Sequence, residues 1–215
     1  MDKRWQRVFT LLSEMYPDAR CELNYETPFE LLIATILSAQ CTDQRVNIIT
    51  PRLFQRFRSP EDYLEVSQDE LEDLIRTCGL YRNKARSIIG CCRTLVRDFQ
   101  GVVPRDLVSL ESLPGVGRKT AAVVASNAFG VPALAVDTHV FRVARRIGLA
   151  RGDTPEKVEA EVCAIYPREQ WIELHHILIW HGRRLCHARK PDCEQCPLAA
   201  DCDQAISGSV REVSV

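Results

Sequence analysis

Leu113-Pro114-Gly115-Val116-Gly117-Arg118-Lys119-Thr120 opens a run of mostly small residues that closes on Phe129, Gly130 and Pro132, and its reading decides how the chain folds. Glycine at 115 and 117 permits backbone angles that other residues resist, so the turn can aim successive N–H groups outward. From Arg118 to Phe129 the pattern predicts a helix, closed by Gly130 at the C′ position with Pro132 beyond it. The turn therefore leads into a helix N-terminus, whose unpaired donors and positive dipole bind phosphate without any side-chain charge. By itself Gly-x-Gly also serves as a plain helix connector, and a single helical lysine as a solvated cation. The surrounding sequence has to decide between the two.

Outward from this turn, helix signals dominate. Thr27-Pro28-Phe29-Glu30 combines an N-cap, a proline at N1 and a glutamate at N3, and Phe29, Leu32, Ile33, Ile36 and Leu37 follow at helical spacing. That helix is apolar nearly all round and is expected at the centre of the fold. Ser67 and Glu70 repeat the capping box. Ala85, Ile88, Ile89, Cys92, Leu95, Val96 and Phe99 line one helix face that Gly101 stops, and Thr154 with Pro155 starts a further helix. Val46, Ile49, Leu53 and Phe57 also keep a helical period, but Pro51 lies among them and is expected to kink the helix or move its start to Thr50. The one β-like run, Val131 to Val136, is short and holds Pro132, so it reads as an extended connector. The fold class expected is all-α.

With 215 residues, 46% of them hydrophobic, the chain can bury one large core or two small ones, which excludes a disordered protein. A net charge of -1 gives no global sign of a polyanionic partner, so any nucleic-acid reading rests on uneven distribution. Acids concentrate between Glu61 and Asp73, whereas Arg82 to Arg97 and Arg142 to Arg151 contain bases and no acids. Such runs are compatible with solvated helix faces as well as with DNA. The N-terminal Met1-Asp2-Lys3-Arg4-Trp5 lacks the apolar core of a secretion signal, and no apolar stretch approaches the ~18 residues that span a bilayer. A soluble, intracellular protein that meets no membrane is expected.

Ten cysteines would suggest disulfides in a secreted chain, but four crowd the C-terminus and the rest scatter through apolar helical patterns. Cys186, Cys193, Cys196 and Cys202 read C-x6-C-x2-C-x5-C, with Arg189, Lys190 and Pro191 in the first loop. Four thiolates at this density predict a metal centre, either tetrahedral zinc or an iron-sulfur cluster. Spacing alone leaves the metal open. Asp137, which precedes Val140 and Phe141 at a helix start, is a good N-cap on its residue type alone.

Several motifs then agree in order: Leu37-Ser38-Ala39-Gln40 with Thr42-Asp43, Gly79-Leu80-Tyr81, Leu113 to Thr120, Val136-Asp137-Thr138-His139, and His181-Gly182-Arg183 leading into the four cysteines. Over nearly its whole length the chain resembles the endonuclease III family of helix-hairpin-helix DNA glycosylases. The resemblance implies a [4Fe-4S] cluster on Cys186, Cys193, Cys196 and Cys202, and two helical lobes flanking a DNA cleft. One lobe would be a six-helix barrel with the helix-hairpin-helix, residues 21–131; the other, a cluster domain, would pair residues 1–20 with 132–215. It implies Lys119 as nucleophile and Asp137 as its acidic partner. An amine attacks only as the neutral base, so the site must favour deprotonation by desolvation or pass the proton to a carboxylate. It further implies that Gln40 fills the space left by a flipped nucleotide and that Leu80 wedges the opposite strand. Gly115, Gly117, Arg118, His139, Arg189 and Lys190 would complete the DNA-binding set.

The expected function is a bifunctional DNA glycosylase and abasic-site lyase that removes oxidised pyrimidines, acting as a cytoplasmic monomer on damaged duplex DNA. A pyrimidine-dimer or mismatch glycosylase of the same superfamily, and a DNA-binding module without chemistry, are the alternatives. Lys119 speaks against an adenine mismatch glycosylase, which in family terms lacks the lysine. The run Ala34-Thr35-Ile36-Leu37 likewise offers no carboxylate in that helix region.

Overall fold

The computed structural model describes residues 2–208. Among them there is no strand, as the composition of helix signals predicts. The chain divides into two compact units, one formed by the residues up to Cys21 with those from Pro132 onward, the other by Glu22–Val131.

The first helix, α1 (Lys3–Met15), belongs to the first unit. The second unit holds α2 (Pro28–Ser38), α3 (Asp43–Arg56), α4 (Gln68–Leu74), α5 (Tyr81–Phe99), α6 (Leu107–Glu111) and α7 (Arg118–Phe129). Its axis is α2, which starts as the sequence predicts: the Thr27 hydroxyl accepts the Glu30 N–H at 3.1 Å, and the Glu30 carboxylate accepts the Glu26 N–H at 2.6 Å. Leu31, Leu32, Ile33, Ala34 and Leu37 are wholly buried, because α3, α5 and α7 all pack against this helix. Burying each of the larger side chains contributes about 1.5–3 kcal/mol.

Two local expectations are corrected here. Pro51 does not move the start of α3 to Thr50. The helix begins at Asp43, where the Thr42 hydroxyl accepts the Arg45 N–H, and continues through Pro51. Val46, Thr50 and Leu53 bury one side, while Pro51 lies on the exposed side where the carbonyl it leaves unpaired can be hydrated. At the end of α5 the left-handed capping residue is Gln100, φ 55°, and Gly101 follows with its N–H on the Leu95 carbonyl at 2.9 Å.

The first unit is completed by α8 (Thr138–Ile147), α9 (Pro155–Ile165), α10 (Trp171–Arg184) and α11 (Asp203–Ser207). The α8 helix lies against α9, α10 and α11, and α1 covers α10. Val8 and Leu12 of α1, Val140 and Val143 of α8, and Leu174, Ile177 and Leu178 of α10 form one closed apolar core. The connector before α8 is extended with no partner strand among the described residues; it is anchored by the buried His175, whose Nδ1–H donates to the Ala135 carbonyl at 2.8 Å.

Candidate active site and metal centre

The residues 113–120 form the expected hairpin turn between α6 and α7. Gly115 sits at φ +79°, and a Cβ there would stand 2.4 Å from Ser87 Cβ on α5, so both backbone angle and space demand glycine. Gly117 differs from expectation. Its φ of -91° is open to any residue, and an added Cβ would meet nothing within 4 Å. What Gly117 supplies is an uncovered approach to the N-terminus of α7, which no side chain caps. Arg118 and Lys119 occupy the first turn of that helix and both are exposed. Lys119 makes no hydrogen bond or ion pair among the described residues, whereas the α7 C-terminus closes on Gly130 at φ 65° as predicted.

In the same unit the turns carrying Gln40 and Leu80 lie side by side: a Cβ on Gly79 would be 3.5 Å from the Gln40 carbonyl oxygen. Both side chains are exposed, Leu80 by 51%. Gln40 has φ 52° and Leu80 φ 59°, left-handed angles costly for side chains with a Cβ. Strain of this kind persists where the surroundings over-determine it and clusters at functional positions.

In the first unit, Asp137 Oδ1 accepts the backbone N–H groups of His139 and Val140, each at 2.8 Å, so the N-cap role read from the sequence is real. His139 follows, half-buried, with Nδ1 3.2 Å from Arg142 Nη2. Burial lowers its pKa, with the Asp137 charge acting in the opposite sense. Arg189 and Lys190 are exposed in the loop between the first two cluster cysteines, Lys190 at φ 52°.

Two bases of the stretch from Arg142 do not lie on the solvated face that its composition allowed. Arg142 and Arg146 are 5% and 4% exposed and reach from α8 into the cysteine loop. Arg142 Nη2 donates to the Gly182 carbonyl at 2.8 Å and to the Cys186 carbonyl at 3.0 Å. Arg146 donates to the His187 and Ala188 carbonyls at 2.6 and 2.9 Å and meets Cys186 Sγ at 3.5 Å. Sequence reasoning missed both residues; the signal was their i,i+4 spacing on the face that also holds Val143 and Ile147.

Cys186, Cys193, Cys196 and Cys202 all line one pocket, shared with Arg146 and His181. Among the described residues no three His, Cys, Asp or Glu side chains converge tightly enough for a single metal ion. Four cysteine thiols lining one pocket are a donor set that fits an iron-sulfur cluster. Donors already face the sulfurs: Arg146 toward Cys186, and His181 Nε2 at 3.8 Å from Cys196 Sγ. His181 is fixed in turn by the Tyr16 hydroxyl at 3.1 Å from its Nδ1. A buried guanidinium and fixed donors beside four thiolates offset the anionic charge such a cluster brings.

A sequence profile described as the HhH-GPD superfamily of base excision DNA repair proteins matches residues 33–168, and the iron-sulfur binding domain of endonuclease III matches residues 186–202. The Endonuclease III of Rickettsia conorii is 49% identical, over 92% of this chain and 94% of that protein. That of Bacillus subtilis is 50% identical, over 89% and 88%. A solved structure titled as a trapped endonuclease III–DNA covalent intermediate superimposes with a TM-score of 0.92 at 50% identity, covering 97% of this chain and 99% of that one. The chain belongs to the endonuclease III family. It is thus a base excision repair glycosylase and abasic-site lyase, and its cofactor is a [4Fe-4S] cluster. No helix among the described residues is long and apolar enough to cross a membrane.

Proposed function

We propose that the chain removes oxidised pyrimidines from damaged duplex DNA and then cleaves the strand at the resulting abasic site, with Lys119 as nucleophile for both steps. The observation that carries this reading is the uncapped N-terminus of α7, with the exposed, unpartnered Lys119 in its first turn. The first-turn amides and the helix dipole receive a phosphate, which brings the adjoining sugar to the lysine. Its relative's trapped covalent complex with DNA supports a covalent route.

A stacked nucleotide is beyond reach, so it must first be turned out of the duplex at a cost of a few kcal/mol. Gln40 and Leu80, presented on adjacent strained turns, suit the tasks of filling the gap and wedging the opposite strand. The Lys119 amine then forms a bond to C1′ as the glycosidic bond breaks and the base leaves with a proton. Opening of the sugar gives a Schiff base, which acidifies C2′; loss of that proton breaks the C3′–O bond and expels the phosphate. Asp137, whose Oδ2 takes no hydrogen bond among the described residues, is the carboxylate proposed to accept the lysine proton and to stabilise positive charge growing on the sugar.

The role of the four cysteines is to hold the cluster, and with it the loop that presents Arg189 and Lys190 to phosphate. The bacterial repair proteins it resembles support a cytoplasmic location. Lys119→Gln tests the assignment: it should abolish strand cleavage at an abasic site while keeping affinity for the duplex, and cleavage at the wild-type rate refutes it. A panel of duplexes with thymine glycol, uracil, a pyrimidine dimer or an adenine mismatch identifies the base removed.

A further inference from the structure

The two turns that carry Gln40 and Leu80 also carry a pair of cysteines. Cys41 follows α2 and Cys78 precedes α5, neither is in a disulfide, and Cys41 is among the neighbours that raise the Cys78 pKa. The turns lie close at the same place, since a Cβ added to Gly79 would stand 3.5 Å from the Gln40 carbonyl oxygen. Cys41 is half-exposed, whereas Cys78 is wholly buried.

A third group completes the cluster. Lys84, in the first turn of α5, is only 4% exposed, and its Nζ has no hydrogen-bond partner. Buried ammonium groups ordinarily sit against carboxylates or carbonyls, because an isolated buried charge is costly. The groups that counter burial at Lys84 are instead the two thiols, Cys78 foremost and then Cys41. A cation with no partner but sulfur favours thiolate, the reactive form of cysteine. Burial first, and then the neighbouring Cys41, push Cys78 up to about 11. The deeper thiol thus keeps its proton, and the half-exposed Cys41 is the one within reach of a solute.

We propose that Cys41 and Cys78 form a peroxide-reactive dithiol, with Lys84 as the cation that activates it and hydroperoxides as the class of oxidant it takes. The Cys41 thiolate attacks one peroxide oxygen; an S–O bond forms, the O–O bond breaks, and the departing oxygen takes a proton to leave as water or an alcohol. Sulfur is oxidised by two electrons to a sulfenic acid and the peroxide is reduced by two. Cys78 then attacks the sulfenyl sulfur: the S–S bond forms, the S–O bond breaks, and the oxygen leaves as water with the Cys78 proton. The product ties the Gln40 turn to the Leu80 turn. Only this consequence, restricted movement of two duplex-entering residues, rests on the DNA reading above; the chemistry does not.

The test treats the cluster-containing protein with dilute hydrogen peroxide, follows the cluster by its visible absorbance, and maps thiols by peptide mass spectrometry. Wild type should yield a cross-linked peptide joining Cys41 to Cys78, lighter by two hydrogens, before Cys21 or Cys163, also half-exposed, react. Lys84→Met, which removes the charge at similar volume, should slow the reaction about fivefold or more. Cys78→Ser should leave Cys41 as a sulfenic acid that dimedone captures. A cross-link absent from wild type, a Cys41 no more reactive than Cys21 and Cys163, or an unchanged rate in Lys84→Met overturns the proposal. None of these outcomes depends on DNA, so a failure of the duplex-entry reading and a failure of this one are told apart.

Discussion

Asp137 and His139 are joined by a 2.8 Å hydrogen bond from the His139 backbone N–H to Asp137 Oδ1, and the same oxygen takes the Val140 N–H at 2.8 Å. One carboxylate oxygen thus does the structural work of starting α8, and the other is available for the proposed chemistry. The two duties separate by mutation. Asp137→Asn keeps an amide oxygen for the cap and should hold stability to within about 0.5 kcal/mol, while Asp137→Ala should lose about 1 kcal/mol. Both should lose base excision to a similar degree. Denaturant unfolding beside single-turnover kinetics checks this; an Asn variant with full activity removes the carboxylate from the chemistry.

The two hairpin glycines should part company in the same way. Gly115→Ala forces a Cβ onto Ser87 at φ +79°, and is expected to destabilise the fold by about 2 kcal/mol or more. Gly117→Ala meets no atom, so its stability should change by about 0.5 kcal/mol or less, with the loss appearing in affinity for an abasic duplex. Unfolding midpoints and duplex titrations of the two variants measure the contrast. A Gly117→Ala protein that binds as wild type contradicts close backbone approach to phosphate.

Acid should weaken the fold through His176. Burial, followed by the neighbouring His175, pushes its pKa from the ordinary 6.5 down to about 3. The folded protein holds this ring neutral, whereas the unfolded chain protonates it near pH 6.5. Its contribution is therefore complete above that pH and is lost as pH falls toward 3, by about 1.4 kcal/mol per pH unit. Urea unfolding at pH 7.5 and 5.5 should show wild type losing about 1.4 kcal/mol more than His176→Gln across that interval. Parallel pH slopes for the two proteins rule the linkage out.

The cysteine pocket predicts its own contents. Purified protein should be brown, with broad visible absorbance and about four irons per chain. Cys202→Ser should lower the iron content, and so should Arg146→Met, which removes the guanidinium beside Cys186 along with its carbonyl contacts. A colourless, zinc-loaded protein contradicts the cluster.

What the sequence disclosed follows from how local each signal is. Helix caps at Thr27, Ser67, Asp137 and Thr154 depend on residues three positions apart, and all four side chains cap as read. The thiol quartet was legible because four cysteines crowded into so short a tail rarely serve as plain core residues, but its metal was not, since the choice depends on how the loop spreads the sulfurs in space. Arg142 and Arg146 look like surface bases in one dimension; their burial comes from a loop about forty residues later whose carbonyls need donors. Gln40 and Leu80 carry no mark of left-handed backbone in their residue types, which favour other angles. Pro51 misled because a proline tolerated on an exposed helix face has the same letter as one that breaks a core.

The central claim concerns a covalent bond, and borohydride reduction during incubation with an abasic duplex tests it most directly. The Schiff base, once reduced, is a stable amine that peptide mass spectrometry can place on a single residue. The account predicts a protein–DNA adduct on Lys119, formed by wild type and absent from Lys119→Gln. An adduct mapped to another lysine, or none from a wild-type protein that still cleaves the strand, contradicts it.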